Sequence, residues 1–258
     1  MSYYVIADIH GCHDKLLKVY EMILQDGFDP KKDYLIQVGD RNDRGPDTYL
    51  VNEFFRLLQI QNPEHVIVIN GNHDQMMLDA ADGKSDLMYY NGGNKTEQSY
   101  SDVTKIYGKK RFGISLRVSG HYDWLRSLPY YYETEDYFFC HAPIALEKYR
   151  SNTIIGMDFR QSHQELMWTY IGENTQDWVD PYLIPKTYGD EYKICVYGHI
   201  HGMKYIKSTN DVIVPGIRRY GNSILLDTGS GCHPDGYLTC LKLPEMITFN
   251  SKGEKINL

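Results

Sequence analysis

Apolar residues in this chain come in short runs, and polar residues that carry chemistry stand directly behind them. Tyr3-Tyr4-Val5-Ile6, Tyr34-Leu35-Ile36-Gln37-Val38 and Val66-Ile67-Val68-Ile69 are rich in β-branched and aromatic side chains, which predicts strands. Between them the period changes. Residues 14–26 place Leu16, Leu17, Tyr20, Ile23 and Leu24 on one stripe, and a second helix opening at Pro46-Asp47 does the same with Leu50, Val51, Phe54, Phe55 and Leu58. A third helix is expected to start near Asp74 and to carry Met76, Met77 and Leu78. The N-terminal third therefore reads as alternating strand and helix, the rhythm of a mainly parallel sheet.

Over residues 81–117 the periodicity fails, with a turn at Gly92-Gly93-Asn94. A helix expected over 121–128 leads to a strand at 137–140. Residues 143–190 are again irregular, and loops of that length in a folded domain shape access to a site. Further strands are expected at 193–197, 211–214, 223–227, 237–243 and 246–249. No repeat, low-complexity stretch or linker interrupts the pattern. Residues 1–258 are read as a single α/β domain with two sheets face to face and helices outside them.

Composition narrows the class. With 42% hydrophobic and 24% charged residues the chain resembles an ordinary soluble protein. Its net charge of −7 gives no broad basic surface for duplex nucleic acid. Phosphate chemistry in such a protein needs local positive charge, supplied by metal and a few arginines. Asp8 and His10 interrupt the first apolar run, so no targeting segment is expected, and no run approaches the roughly 20 residues that cross a bilayer. The five cysteines, Cys12, Cys140, Cys195, Cys232 and Cys240, are odd in number and lack a CxxC pair. They argue against a disulfide framework and for a cytoplasmic protein. Cys12 and Cys140 read as small buried hydrophobes.

The blocks behind the apolar runs are Asp8-Ile9-His10-Gly11, Gly39-Asp40-Arg41-Asn42-Asp43-Arg44-Gly45, Gly71-Asn72-His73-Asp74, Cys140-His141 and Gly198-His199-Ile200-His201-Gly202. Each alone is a weak signal. Together they deliver oxygen and imidazole ligands from successive strand ends, as α/β sheets do at their carboxyl edges. Asp8 and His10 are two apart and share a face of an extended strand end. Asp40 is placed to bridge two cations. Asn72 adds an amide oxygen, and His141 and His199 add imidazoles. A mixed Asp, His and Asn set suits manganese first, or iron or zinc, rather than calcium. His121 and His163 lack this setting and read as surface residues, and His13, His65 and His233 as structural or solvated.

At these residues the chain resembles the calcineurin-like metallophosphoesterases, and more closely the phosphoprotein phosphatase family in its bacterial and bacteriophage lambda phosphatase-like branch. The shared pattern is Asp-x-His-Gly, Gly-Asp-x-x-Asp-Arg-Gly and Gly-Asn-His-Asp/Glu, followed by later histidines. Asn91-Gly92-Gly93, Trp124-Leu125-Arg126-Ser127-Leu128-Pro129 and Leu225-Leu226-Asp227-Thr228-Gly229 extend the likeness along the chain. The resemblance implies a four-layer α/β/β/α sandwich of two mixed sheets. It implies two divalent metal ions, one on Asp8, His10 and Asp40, the other on Asp40, Asn72, His141 and His199. In the wider superfamily a second histidine placed like His201 can complete the first metal's shell; in the phosphatase branch that position is usually not His, so its use here is a departure. Asp43 and His73 are implied to pair, with His73 a general acid and Arg44 a phosphate ligand. The implied reaction is attack on a phosphomonoester by a metal-bridging hydroxide, in a serine/threonine protein phosphatase or, alternatively, a symmetrical diadenosine tetraphosphatase. The substrate is then a phosphorylated protein or a nucleotide.

Two departures stand out. Arg41-Asn42 occupies a place where the family commonly has apolar residues, which puts extra charge beside the site. Tyr170 stands where the family's Leu-Trp segment is followed by a phosphate-binding arginine, leaving Arg160, Arg218 and Arg219 as candidate substitutes.

Overall fold

The structure, a computed structural model, describes residues 1–143, 163–168, 186, 191–201, 212–214 and 217–258. Strand β1 (Tyr3–Ile6) pairs in parallel with β2 (Tyr34–Gln37), and β2 with β3 (Val66–Val68). On the other side of β1 the sheet continues antiparallel through β10 (Thr239–Leu243), β11 (Ile247–Asn250) and β12 (Lys255–Asn257). The second sheet runs β4 (Tyr131–Glu133), β5 (Tyr137–Cys140), β6 (Ile194–Tyr197), β9 (Ser223–Leu225), β8 (Ile217–Tyr220) and β7 (Val212–Val214). In it β5, β6 and β9 are parallel neighbours. Both sheets are mixed, as expected.

Period-two alternation assigns the layers. Tyr3 and Val5 of β1 face inward and pack with Ile36, Tyr137, Phe139, Val196 and Ile224 between the two sheets. Tyr4 and Ile6 face outward and pack with Leu16, Val19 and Ile23 of α1 (His13–Gln25) and Val51 and Phe55 of α2 (Thr48–Gln61). On the second sheet Phe138 and Cys140 face outward, toward Leu166 of α8 (His163–Trp168). The order is helices, sheet, sheet, helix. A side chain buried this fully stabilises by roughly 1.5–3 kcal/mol, so a one-residue slip of β1 costs several such contributions at once.

Helix α3 (Asn72–Ala81) starts two residues earlier than expected, so Asn72 and His73 lie on its first turn. Residues 81–117 are not irregular. They form α4 (Leu87–Tyr90), α5 (Gly93–Thr104) and α6 (Phe112–Val118), followed by α7 (His121–Ser127). The buried face of α5 consists of Gly93, Thr96, Tyr100 and Ser101. That face meets polar partners, which is why hydrophobic periodicity did not reveal the helix. Strands β4, β8 and β12 were likewise not anticipated. Among the described residues no helix is long and apolar enough to cross a membrane.

Candidate metal centre

The parallel strands of both sheets end at one edge, and the loops that follow them carry the ligand candidates. Asp8 and His10 follow β1, Asp40 follows β2, Asn72 and His73 follow β3, His141 follows β5, and His199 follows β6. Two clusters of ligand atoms converge there, one from His10, Asp40 and His73, the other from Asp40, His141 and His199. Asp40 belongs to both. Asp8 joins them, its Oδ2 lying 3.8 Å from Nε2 of His10. Asn72 joins the second, its Oδ1 lying 2.9 Å from Nε2 of His141 and 3.1 Å from Nδ1 of His199. His201 is half-buried and falls in neither cluster.

Local backbone conformation gathers these side chains. His10, Asp40, Asp43, Arg44 and His199 all hold φ between +48° and +69°. Left-handed backbone at non-glycine residues costs roughly 1–2 kcal/mol each, and such strain collects where a site demands it. Gly71 and Gly198 make the close approaches possible. A Cβ on Gly71 would run into the Asp40 carboxylate, and one on Gly198 into that of Asp8. The Asp8 carboxylate instead accepts the backbone N–H of His199 at 3.0 Å, tying the two sheets together.

Hydrogen bonds fix the histidine tautomers. His10 Nδ1 lies 2.7 Å from the Asn42 carbonyl and His141 Nδ1 lies 2.9 Å from that of Val38. A carbonyl only accepts, so each Nδ1 carries the hydrogen and each Nε2 turns toward the cluster. Nε2 of His141 then faces two acceptors, Oδ1 of Asn72 at 2.9 Å and Oδ1 of Asp40 at 3.3 Å. Lone pairs facing one another ask for a proton or a cation between them.

The electrostatics carry the same demand. Burial, with Asp227 nearby, pushes the Asp8 carboxyl well above its ordinary range. Burial also opposes ionisation of Asp40, but His141, His73 and His10 outweigh it and hold that carboxyl low. Burial works against a charged His141, yet Asp40 outweighs it and lifts the ring to about 9. Burial and the neighbouring His141 drop His199 to about 3. The donor set of carboxylates, imidazoles and one amide fits divalent cations of the manganese, iron or zinc kind.

Beside the clusters stands a second constellation. His73 Nδ1 lies 2.6 Å from Oδ2 of Asp43, whose Oδ1 accepts the Thr96 hydroxyl at 2.8 Å. The Arg44 guanidinium reaches Nε2 of His73 at 3.0 Å and also contacts His10 Nε2 and Cys232 Sγ. Arg44 is the candidate phosphate arginine that the structure brings to the ligands. Arg219 is exposed and donates to the Gly221 carbonyl, at the opposite end of the second sheet. Arg218 is buried across from Leu225 on the α8 face. Arg160 and Tyr170 lie outside the described residues.

Three readings of the sequence change. Arg41 puts no extra charge into the site, because its fully buried guanidinium pairs with Asp74 at 2.7 Å behind it. His121 is not a surface residue; it is buried between the Tyr100 hydroxyl at 2.6 Å and Glu53 at 2.9 Å. Asp227 was taken as strand, but β9 ends at Leu225 and leaves Asp227 in the following loop, buried, accepting the Gly229 N–H at 2.8 Å. Burial pushes this carboxyl up to about 6. Its setting, just past a parallel strand, is the signal that marks the other ligands.

The calcineurin-like phosphoesterase profile matches residues 1–203. Serine/threonine-protein phosphatase 1 of Salmonella typhimurium is 39% identical over 92 residues, 35% of this chain and 38% of that protein. A symmetrical bis(5'-nucleosyl)-tetraphosphatase of Methylococcus capsulatus is 31% identical over 147 residues, 56% of this chain and 44% of that one. These matches thus span less than half of either relative. The crystal structure of a cold-active protein-tyrosine phosphatase from a psychrophilic Shewanella shares the fold, with a TM-score of 0.62 at 18% identity over 100% of this chain and 80% of that one. The profile spans the β1, β2, β3, β5 and β6 loops that carry the two clusters, and the chain belongs to the calcineurin-like phosphoesterase family, whose members are dinuclear metal-dependent hydrolases.

Proposed function

We propose that this chain hydrolyses phosphomonoesters as a serine/threonine protein phosphatase. Asp8, His10 and Asp40 hold one divalent cation, manganese by preference, and Asp40, Asn72, His141 and His199 hold the other. His201 is left out of both shells. Bound cations supply Lewis acidity to phosphate oxygens and make water acidic enough to attack phosphorus. Arg44 grips the phosphate with a planar fork, which a lysine in its place could not do bidentately. Asp43 holds the His73 ring by Nδ1. Nε2 accepts from Arg44 as the site stands; once phosphate engages Arg44, Nε2 can carry the proton given to the departing oxygen, a role that typically contributes ~10²–10⁴-fold.

The observation that carries this reading is the placement of His73. Its Nδ1 is held by Asp43 at 2.6 Å, and its Nε2 lies 3.0 Å from Arg44 and 3.9 Å from Asp40. The residues proposed as acid, phosphate clamp and shared ligand are thus direct neighbours. The free thiols of all five cysteines suit a reducing cytoplasm.

A second reading, symmetrical cleavage of diadenosine tetraphosphate, is favoured by Asp74 at the end of the third block and by the longer match to the Methylococcus enzyme. Hydrolysis of an aryl phosphate with added manganese, abolished by a chelator and restored by manganese, tests the reaction class. Turnover of a phosphoserine peptide beside diadenosine tetraphosphate then decides the substrate. We expect the peptide to be preferred, and preference for the dinucleotide overturns the phosphatase assignment.

A further inference from the structure

Behind the ligand loops lies a fully buried ion pair. Nη2 of Arg41 stands 2.7 Å from Oδ2 of Asp74, and neither side chain has any exposure. Nη1 of Arg41 donates to Oε1 of Gln37 at 2.6 Å and to the Ile69 carbonyl at 2.8 Å. One guanidinium therefore ties the last residue of β2 to the chain leaving β3. Asp74 closes the tie from the other side. It accepts the backbone N–H of Arg41 at 3.3 Å and that of Gly71 at 2.9 Å, the neighbours of Asp40 and Asn72 in sequence.

Asn42 extends the stitch toward the first cluster. Its Nδ2 donates to Asp74 at 2.5 Å, its Oδ1 accepts Nδ2 of Asn52 at 2.7 Å, and its carbonyl accepts Nδ1–H of His10 at 2.7 Å. Asn52, on α2, also accepts Nε of Arg41 at 3.2 Å. Burying an ion pair is a costly way to fill an interior, since apolar side chains of similar volume do so as well or better. What a planar fork and a carboxylate add is direction, and here the Asp74 carboxylate holds the backbone N–H of Arg41 and of Gly71, on two loops that carry ligands.

We propose that the Arg41–Asp74 pair, with Asn42, positions the metal-binding loops. It sets the register of residues 39–45 against the first turn of α3, and through Asn42 it sets the ring of His10. These residues touch neither substrate nor reacting atoms; they act through Asp40, Asn72 and His10. The inference rests on the dinuclear reading of those ligands.

The test is manganese binding to the metal-stripped full chain, followed by titration calorimetry. The unfolding midpoint and aryl phosphate kinetics are measured alongside it. In the double variant Arg41→Met/Asp74→Leu the chain should still fold, with a midpoint lowered because Gln37, Asn42, the Ile69 carbonyl and the Gly71 N–H lose their buried partners. Its manganese affinity should fall by about 10–100-fold, with kcat falling in step and KM little changed. Arg41→Lys keeps the charge without the fork and should fall between. Asn52→Ala, two hydrogen bonds removed from His10 through Asn42, should also weaken manganese binding. A folded double variant with unaltered manganese affinity and kcat overturns the proposal. If the double variant does not fold, unaltered manganese binding by both Asn52→Ala and Arg41→Lys overturns it instead. An unmodified chain that binds no manganese defeats the metal-centre reading, a result distinct from either.

Discussion

Asp40 Oδ1 accepts the backbone N–H of His73 at 3.0 Å and lies 3.3 Å from Nε2 of His141, while Oδ2 lies 3.8 Å from Nε2 of His10. The two oxygens thus face different clusters, the geometry of a shared ligand. Asp40→Asn removes the charge and one anionic donor from both clusters at once, so both metals should be lost together. Metal analysis of the purified variant checks this, and two tightly held ions per chain with normal turnover would refute the shared role. On the proposed mechanism His73 behaves differently, because its part there is to serve the leaving group. His73→Asn should slow alkyl phosphate esters far more than aryl esters, whose oxygens depart with little help. Its metal content should remain that of the unmodified chain. Equal slowing on both ester types, read from parallel kcat values, would remove the acid role.

Elements bring these residues into range, and one pairing of helices has its own pH signature. Glu53 of α2 binds Arg56 on the same helix and Nε2 of His121 at the start of α7. Arg56 first, and His121 after it, hold the Glu53 carboxyl down at about 2, below its ordinary 4.5. A depressed acid stabilises the fold fully above pH 4.5, and the contribution fades as the pH falls through about 2. Burial holds His121 below its ordinary 6.5, so the unfolded chain binds that proton first and acid lability begins already below pH 6.5. Glu53→Gln should lower the unfolding midpoint by about 2–4 °C at pH 7. The gap to the unmodified chain should close toward pH 2, which melting curves across that range will show. This linkage also marks where the sequence was hard to read. Asp8, His10, Asp40, Asn72, His141 and His199 were legible because each stands behind an apolar run that ends at the sheet edge. His121 was not, since what buries it is Tyr100 on a helix whose inner face is polar. Asp227 was lost because Leu226 carries the apolar run one residue past Leu225, where β9 ends, right up to Asp227. Arg41 looked like extra charge beside the site because its partner, Asp74, is distant in sequence and close only in the fold.

At the scale of the molecule the ligand set is divided between the sheets. Asp8, His10, Asp40 and Asn72 follow strands of the first sheet, and His141 and His199 follow strands of the second. Between the sheets lies an apolar core that holds them face to face without help from metal. At their common edge, however, buried acids and imidazoles meet with unbalanced charge, spanned by the His199 N–H on Asp8 and the His141 Nδ1–H on the Val38 carbonyl. Metal held there by the proposed ligands would join the two sheets and favour the native state, stabilising the fold by mass action. At manganese concentrations about 100 times the dissociation constant, each site contributes ~2.7 kcal/mol. For a domain of this size that raises the midpoint by roughly 5–10 °C per site. Manganese should therefore raise the unfolding midpoint of the stripped chain in a concentration-dependent way, and a chelator should reverse it. His73→Asn should keep the full rise, because its ring serves the substrate. Asp40→Asn should lose most of it, because the shared donor is gone. A midpoint that ignores manganese in the unmodified chain would mean that the two sheet edges meet without a metal between them.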